Sequence, residues 1–416
     1  MKRIFEIQNL VKKHEEWRTN ECLNLIASEN ISSELVRSLY LSDLMHRYGD
    51  YKGRDLEFRK YQGTKYICEL EKIAEQVACD LFHAKFVELR AISGHIAGVA
   101  AILGLVKNGD YVMELGPDTG GHRVAKKFSG SPLIDIKVEF IPFDYKKYNI
   151  DISKCIKKME ELQPKLIILG ASNFLFPHPI KEICEEAKSL DTIVAYDGSH
   201  VFGLIAGGAF QDPIEEGAHL VMGSTHKTLG GPQGGILLTN DEKIATKVSK
   251  AIYPVLITNH HLHRIPALTI ALLEMQTFGK EYANQIVKNA QRLGGEISKL
   301  GVPVVGAKQN FTQSHTILLQ VNGFGKGEEI AFNLEKANII TNPTRLLKEL
   351  GSEGVRIGVQ EITRLGMEEQ HMPRLAKYIV SVIKDPEQST KIRKDVKTFR
   401  KQFNKLHFVF PYTRGD

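Results

Sequence analysis

Lys227 stands in MGSTHKT (222–228), an apolar run that ends in hydroxyls and a histidine and is followed at once by LGGPQGG. Its neighbours are small or apolar, a setting in which a lysine can shed its proton and form an imine. Most lysines are simply solvated, and that reading stays open here. Thirty residues earlier, AYDGSH (195–200) ends another apolar run in Asp197. A carboxylate at such a place needs a positive or hydrogen-bonding partner. A protonated ring nitrogen would serve, and so would the N–H groups of a helix that Asp197 caps. A third run leads into SGHIAG (93–98), a small-residue turn that could hold a phosphate on the backbone N–H groups of a helix start or be a plain glycine turn. Asp197 and Lys227 on successive strands could hold two ends of one ring-shaped cofactor.

All three features end apolar runs, and open α/β sheets collect ligand groups at the carboxyl ends of their strands. The runs VELR (87–90), DYVMEL (110–115), KLIILGA (165–171), TIVAYDGS (192–199), HLVMGST (219–225) and GGILLTN (234–240) alternate with helical segments near 94–106, 151–162 and 180–189. Strands apolar on nearly every residue are covered on both faces, so the pattern predicts an α/β fold with a mostly parallel central sheet between helices. After Pro254 the pattern changes to a long helix over 264–299, short strands at VPVVG and HTILLQV, and helices near 328–336, 367–384 and 389–405. We read a helical arm over 1–25, a large α/β domain over 26–280 and a smaller α+β domain over 281–416.

With 416 residues, 42% of them hydrophobic and 25% charged, the chain is long enough for a large core and too apolar for disorder. The net charge of +6 is spread out. Its densest stretch, KIRKDVKTFRKQFNK (391–405), reads as a solvated helix face, so no nucleic-acid partner is expected. Five scattered cysteines form no CxxC spacing and predict no disulfide framework. No signal peptide or membrane span is visible, and the expected setting is cytoplasmic. The HHLH run (260–263) puts two histidines three apart, but no acidic or cysteine ligand accompanies it, so no metal is expected.

Longer motifs now become recognisable: LNLIASEN (23–30), MHRYGD (45–50), YQGTKYICELE (61–71), YDGSHVFGLIAGGAFQDP (196–213), GSTHKTLGGPQGG (223–235) and GVRIGVQEITRLGM (354–367). In these the chain resembles serine hydroxymethyltransferases, fold-type I enzymes dependent on pyridoxal 5'-phosphate (PLP), and is most similar to archaeal members. The resemblance implies that Lys227 carries PLP as a Schiff base and that Asp197 keeps its pyridine nitrogen protonated. It implies that His122 stacks on the ring, and that His200 and Ser172 sit around the phenolate oxygen and carboxylate side. By the same resemblance the phosphate rests on Ser93, Gly94 and His95, with Ser224 beside His226, and with Thr258 and Asn259 from a second subunit. Arg356 would grip the amino-acid carboxylate through a bidentate pair. Ser28, Tyr48 and Tyr61 match positions near the substrate, with Tyr48 and its neighbours supplied by the partner of a homodimer.

Against the family pattern, Asp50 in RYGDYKG aligns with the glutamate that serves proton transfer, one methylene shorter. Lys60 aligns with a tyrosine that packs on the pterin, Arg123 replaces an aliphatic residue after GGH, and the folate loop reads TNPTRLLKELG (341–351). The amino-acid end of the site thus matches the family, whereas the carrier end is more basic. One expectation is interconversion of serine and glycine, with tetrahydrofolate or tetrahydromethanopterin as carrier and Asp50 as the base. A second is a pterin-independent aldolase or transaldolase on a β-hydroxy-α-amino acid. A third is a non-catalytic PLP-binding homologue.

Overall fold

In the computed structural model, which describes residues 1–412, the apolar runs form a seven-stranded sheet. Its order is Phe86–Glu88, Gly235–Thr239, Leu220–Ser224, Ile193–Asp197, Leu166–Leu169, Tyr111–Glu114 and Lys137–Phe140. Gly235–Thr239 runs antiparallel to both of its neighbours, and the other pairings are parallel. Leu166–Leu169, Leu220–Ser224 and Gly235–Thr239 are buried at every position, the burial expected of strands covered on both faces. The Lys137–Phe140 edge strand has no buried residue, which is why a search for apolar runs passes over it.

The described chain divides into two compact units, one of residues 1–29 with 285–407, the other of 30–284 with 408–412. The sheet belongs to the second. There, the Gly94–Leu105 helix is buried along most of its length, and Gly104 lies so close to the Lys247 and Val248 backbone of the Glu242–Lys250 helix that an added Cβ would be 3.1 Å from the Lys247 carbonyl. The Ile152–Leu162 helix starts at Asp151, whose side chain accepts from Lys154 N.

The first unit has an antiparallel sheet in the order Thr316–Gln320, Glu353–Gly358, Asn342–Arg345. The end of the expected N-terminal arm pairs within this unit, Leu23–Asn24 lying parallel to Ile339–Ile340. VPVVG, expected as a strand, is reduced to one bridge between Val304 and Leu319; Pro303 has no N–H to extend a ladder. The helix expected over 367–384 begins at Met372, after a short turn, with Pro373 in its first turn.

Candidate active site

Asp197 closes its strand and is in register with Met222 on the neighbouring one. Lys227 lies three residues beyond the end of that second strand, so the two side chains emerge from adjacent strand ends. Asp197 Oδ1 accepts from Ser199 N (3.0 Å), and Ser199 Oγ accepts from Ser224 N (2.9 Å). Gly223, with φ +155°, has no room for a side chain, since a Cβ would lie 2.6 Å from Ser199 N. The Asn30 side chain donates to the Lys227 carbonyl (2.8 Å), and Thr228 Oγ1 donates to the His200 carbonyl (2.9 Å). The strand ends are therefore tied to one another by their own loops.

Ser93 is the N-cap of the Gly94–Leu105 helix, its Oγ accepting from Ile96 N (3.1 Å). The N–H groups of Gly94 and His95 have no acceptor within the helix, and no acidic residue occupies its first turn. A Cβ on Gly94 would collide with Ser224 Oγ and lie 2.7 Å from Ser224 N. His95 Nδ1 is 3.3 Å from His122 Nε2, with the rings edge to face. Burial holds His122 below its ordinary pKa; Asp197 pulls it back up, and Lys127, Lys227 and Arg123 push it further down. Burial, aided by Lys227, lowers His226 to about 4, and His226 Nδ1 is buried without a hydrogen bond. Ser172 N donates to the Gly120 carbonyl (2.7 Å), which joins it to the loop that carries His122.

These contacts join Ser93, Gly94, His95, His122, Ser172, Asp197, His200, Ser224, His226 and Lys227 at one end of the sheet. Tyr48, Asp50, Tyr61, Thr258 and Asn259 belong to the same unit. Tyr48 and Tyr61 have ring centroids 5.1 Å apart, and Lys60 N donates to the Asp50 carbonyl (3.0 Å). Asp50 is 3% exposed, and its Oδ1, like Asn259 Oδ1, has no hydrogen-bond partner. Burial raises the Asp50 pKa, against the pull of His260, Lys60 and Arg90.

Ser28 and Arg356 belong to the other unit. Arg356 is in the central strand, opposite Leu318 and Asn342, with Nε and Nη2 each 3.4 Å from Asn342 Oδ1. The segment holding Ser28 crosses the end of this strand. Gly358 N donates to the Leu25 carbonyl (2.8 Å), Gln360 Nε2 donates to the carbonyls of Ile26 (2.8 Å) and Glu29 (2.6 Å), and a Cβ on Gly358 would lie 2.5 Å from Ala27 Cα.

Sequence reasoning overlooked Ser199, although an Asp at a turn commonly accepts from the backbone N–H two residues on. It also treated His260 only as a possible ligand in HHLH. His260 Nε2 is bound to Glu71 Oε1 at 2.6 Å, a partner 189 residues away that no local spacing reveals.

The serine hydroxymethyltransferase family matches residues 2–379. The serine hydroxymethyltransferase of Pyrobaculum islandicum is 41% identical over 415 residues, covering 99% of this chain and 96% of its own. That of Sulfolobus acidocaldarius is 40% identical over 410 residues, covering 97% and 94%, and that of Methanopyrus kandleri is 40% identical over 412, covering 98% and 95%. Among solved structures, an L-threonine transaldolase from Pseudomonas fluorescens superposes with a TM-score of 0.91 at 26% identity, covering 98% of this chain and 94% of its own. A family match spanning most of the chain, together with full-length identities near 40%, means that this chain belongs to the serine hydroxymethyltransferase family of PLP-dependent, fold-type I enzymes.

Proposed function

We propose that the chain interconverts serine and glycine by cleaving and forming the Cα–Cβ bond, with a reduced pterin, tetrahydrofolate or tetrahydromethanopterin, as the one-carbon carrier. The observation that carries this reading is the placement of Asp197 and Lys227 at adjacent strand ends, with His122 feeling the charge of both.

The residues present fit PLP. The Gly94 and His95 N–H groups at the helix start would hold its phosphate, beside Ser224, where Gly94 leaves space that a Cβ would fill. Asp197 Oδ1 is already committed to Ser199 N, which fixes the orientation of the carboxylate meant for the ring nitrogen. The orphaned Nδ1 of His226 suits a polar ligand at this end of the sheet. Lys227 would supply the amine that holds the cofactor covalently, His122 would lie on the ring face, and Ser172 and His200 would sit at its edge. When bound, PLP supplies the electron sink that makes cleavage at the substrate Cα feasible.

The protein's own groups do the rest. Arg356 binds the substrate carboxylate through its planar guanidinium, while Ser28, Tyr48 and Tyr61 orient the amino acid. Asp50 takes the proton from the substrate hydroxyl. Burial supports that role, since a raised carboxyl pKa lies nearer the working pH of a general base. Thr258 and Asn259 are read as phosphate ligands offered to a partner subunit, and Tyr48, Asp50 and Tyr61 likewise as a partner's contribution. Exposure of Leu41 (76%), Met45 (47%) and Tyr66 (75%) around these loops supports a homodimer. The five cysteines are free, in keeping with a reducing cytoplasm as the proposed setting. Among the described residues no helix is long and apolar enough to cross a membrane.

A second reading, a pterin-independent transaldolase or aldolase, is favoured by the likeness to the threonine transaldolase and by Asp50, Lys60 and Arg123 at the carrier end. The test is an absorbance titration of the purified yellow protein with glycine, without pterin and with each of the two pterins, alongside serine turnover. A visible band strengthened by one pterin, with serine cleaved, supports the transferase and identifies the carrier. A band indifferent to both, with faster cleavage of a bulkier β-hydroxy amino acid than of serine, overturns it in favour of the aldolase.

A further inference from the structure

A second concentration of buried charge in the sheet-bearing unit encloses residues 49–53. Arg59 Nη1 donates to the Gly49 carbonyl (2.7 Å), and its Nη2 is paired with Glu71 Oε2 (2.6 Å). The other Glu71 oxygen is bound to His260. Arg90 donates from Nη1 to the Tyr51 carbonyl (3.2 Å) and from Nη2 to the Gly53 carbonyl (2.9 Å), while Glu88 accepts from its Nε (2.9 Å) and Nη2 (2.6 Å). Both guanidiniums lie over the Tyr51 ring, that of Arg59 4.9 Å and that of Arg90 4.1 Å from its centroid, with His260 edge-on at 5.8 Å. Since Lys60 N holds the Asp50 carbonyl, the carbonyls of residues 49, 50, 51 and 53 all have fixed donors.

Two buried ion pairs are a poor source of stability, because desolvation offsets most of their attraction. Their effect is geometric: Arg90 is held by hydrogen bonds to Glu88 and Arg59 by its ion pair with Glu71, and each donates to the backbone of residues 49–53. Asp50 belongs to the segment they hold, nearly inaccessible, its Oδ1 left without a protein partner. A short side chain on a four-point backbone anchor can reach few places, and a shift of about 1 Å in a reacting group can cost on the order of a hundredfold in rate.

We propose that Arg59, held by Glu71 and His260, and Arg90, held by Glu88, are positioning residues that fix the Asp50 carboxyl for proton transfer at the substrate hydroxyl. The inference rests on the reading of Asp50 as the base. The experiment makes Glu71→Gln, Arg59→Lys and His260→Asn in the full-length PLP-bound enzyme, each alone and combined with Asp50→Asn. Serine cleavage is measured as kcat and KM, together with thermal melting. Glu71→Gln and Arg59→Lys should each lower kcat about tenfold or more with KM for serine changed less than about threefold, and His260→Asn, the mildest of the three, should move kcat in the same direction. In the Asp50→Asn background the same changes should lower kcat no further. Equal losses in both backgrounds, or a loss confined to KM, would overturn the clamp as a positioning device. Slow Asp50→Asn with normal Arg59→Lys and His260→Asn would also overturn it while leaving the base assignment intact. A fully active Asp50→Asn would instead remove the base assignment and the clamp with it.

Discussion

At the scale of single residues, the chemistry assigned to Lys227 and Asp50 separates cleanly. Lys227→Ala removes the amine that would hold the cofactor, so the protein should lose its covalently bound chromophore and all serine turnover. Absorbance after dialysis checks this. Asp50→Asn keeps the side-chain shape and should leave PLP bound while slowing cleavage by about 10²-fold or more, the usual size of a general-base contribution. The pH dependence follows from the direction of the Asp50 shift. Burial raises its pKa above the ordinary 3.8, and only the ionised form accepts a proton. Activity should therefore fall as pH drops through that raised value, and this acidic limb should be missing from the residual rate of Asp50→Asn. An unchanged acidic limb would assign it to another group.

At the scale of elements, the cofactor cluster depends on how closely the Gly94–Leu105 helix approaches the end of the Leu220–Ser224 strand. Gly94→Ala forces a methyl into Ser224 Oγ and its backbone N. Overpacking of this kind costs about 1–3 kcal/mol, and the shift would fall on the phosphate end. PLP affinity should drop at least about tenfold, measured by titrating apoenzyme, and the melting temperature of the apo form should fall by a few degrees. The helix itself was legible in the sequence, because Ser93 followed by small and apolar residues is a capping pattern. The contact between Gly94 and Ser224 was not, since it depends on the crossing of a helix over a strand 130 residues later.

At the scale of the whole molecule, the Lys2–Glu16 helix buries none of its residues. Ile4, Ile7, Leu10 and Val11 are 55%, 62%, 60% and 52% exposed, and their spacing makes one apolar stripe. If the enzyme is a homodimer, this stripe is a natural contact. Combining Ile7→Glu with Val11→Glu should shift the mass measured by light scattering toward the monomer at low micromolar concentration. A second prediction concerns pH and stability. Burial pushes Glu361 up to about 7 from its ordinary 4.5, although Asn24 Nδ2 donates to it at 2.6 Å. Between those values the folded form holds a proton that the unfolded chain has released, so stability falls as pH rises from about 4.5 to 7, by up to about 3 kcal/mol. Glu361→Gln should flatten that decline, as read from melting temperatures at pH 5 and pH 8.

The sequence by itself determined the α/β sheet, because continuous apolar runs bounded by turns leave few other arrangements, and it singled out Lys227, Asp197 and Arg356 through motifs that are local in the chain. Tertiary structure decided the rest. Ser199 became a link between Asp197 and Ser224, residues 1–29 joined the C-terminal unit through the pairing of Leu23–Asn24, and His260 found Glu71. Periodicity reports which face of an element is buried, and that is a property of neighbours in sequence. Which buried carboxylate meets which guanidinium is settled only when distant segments pack, since burying either charge alone would be prohibitive.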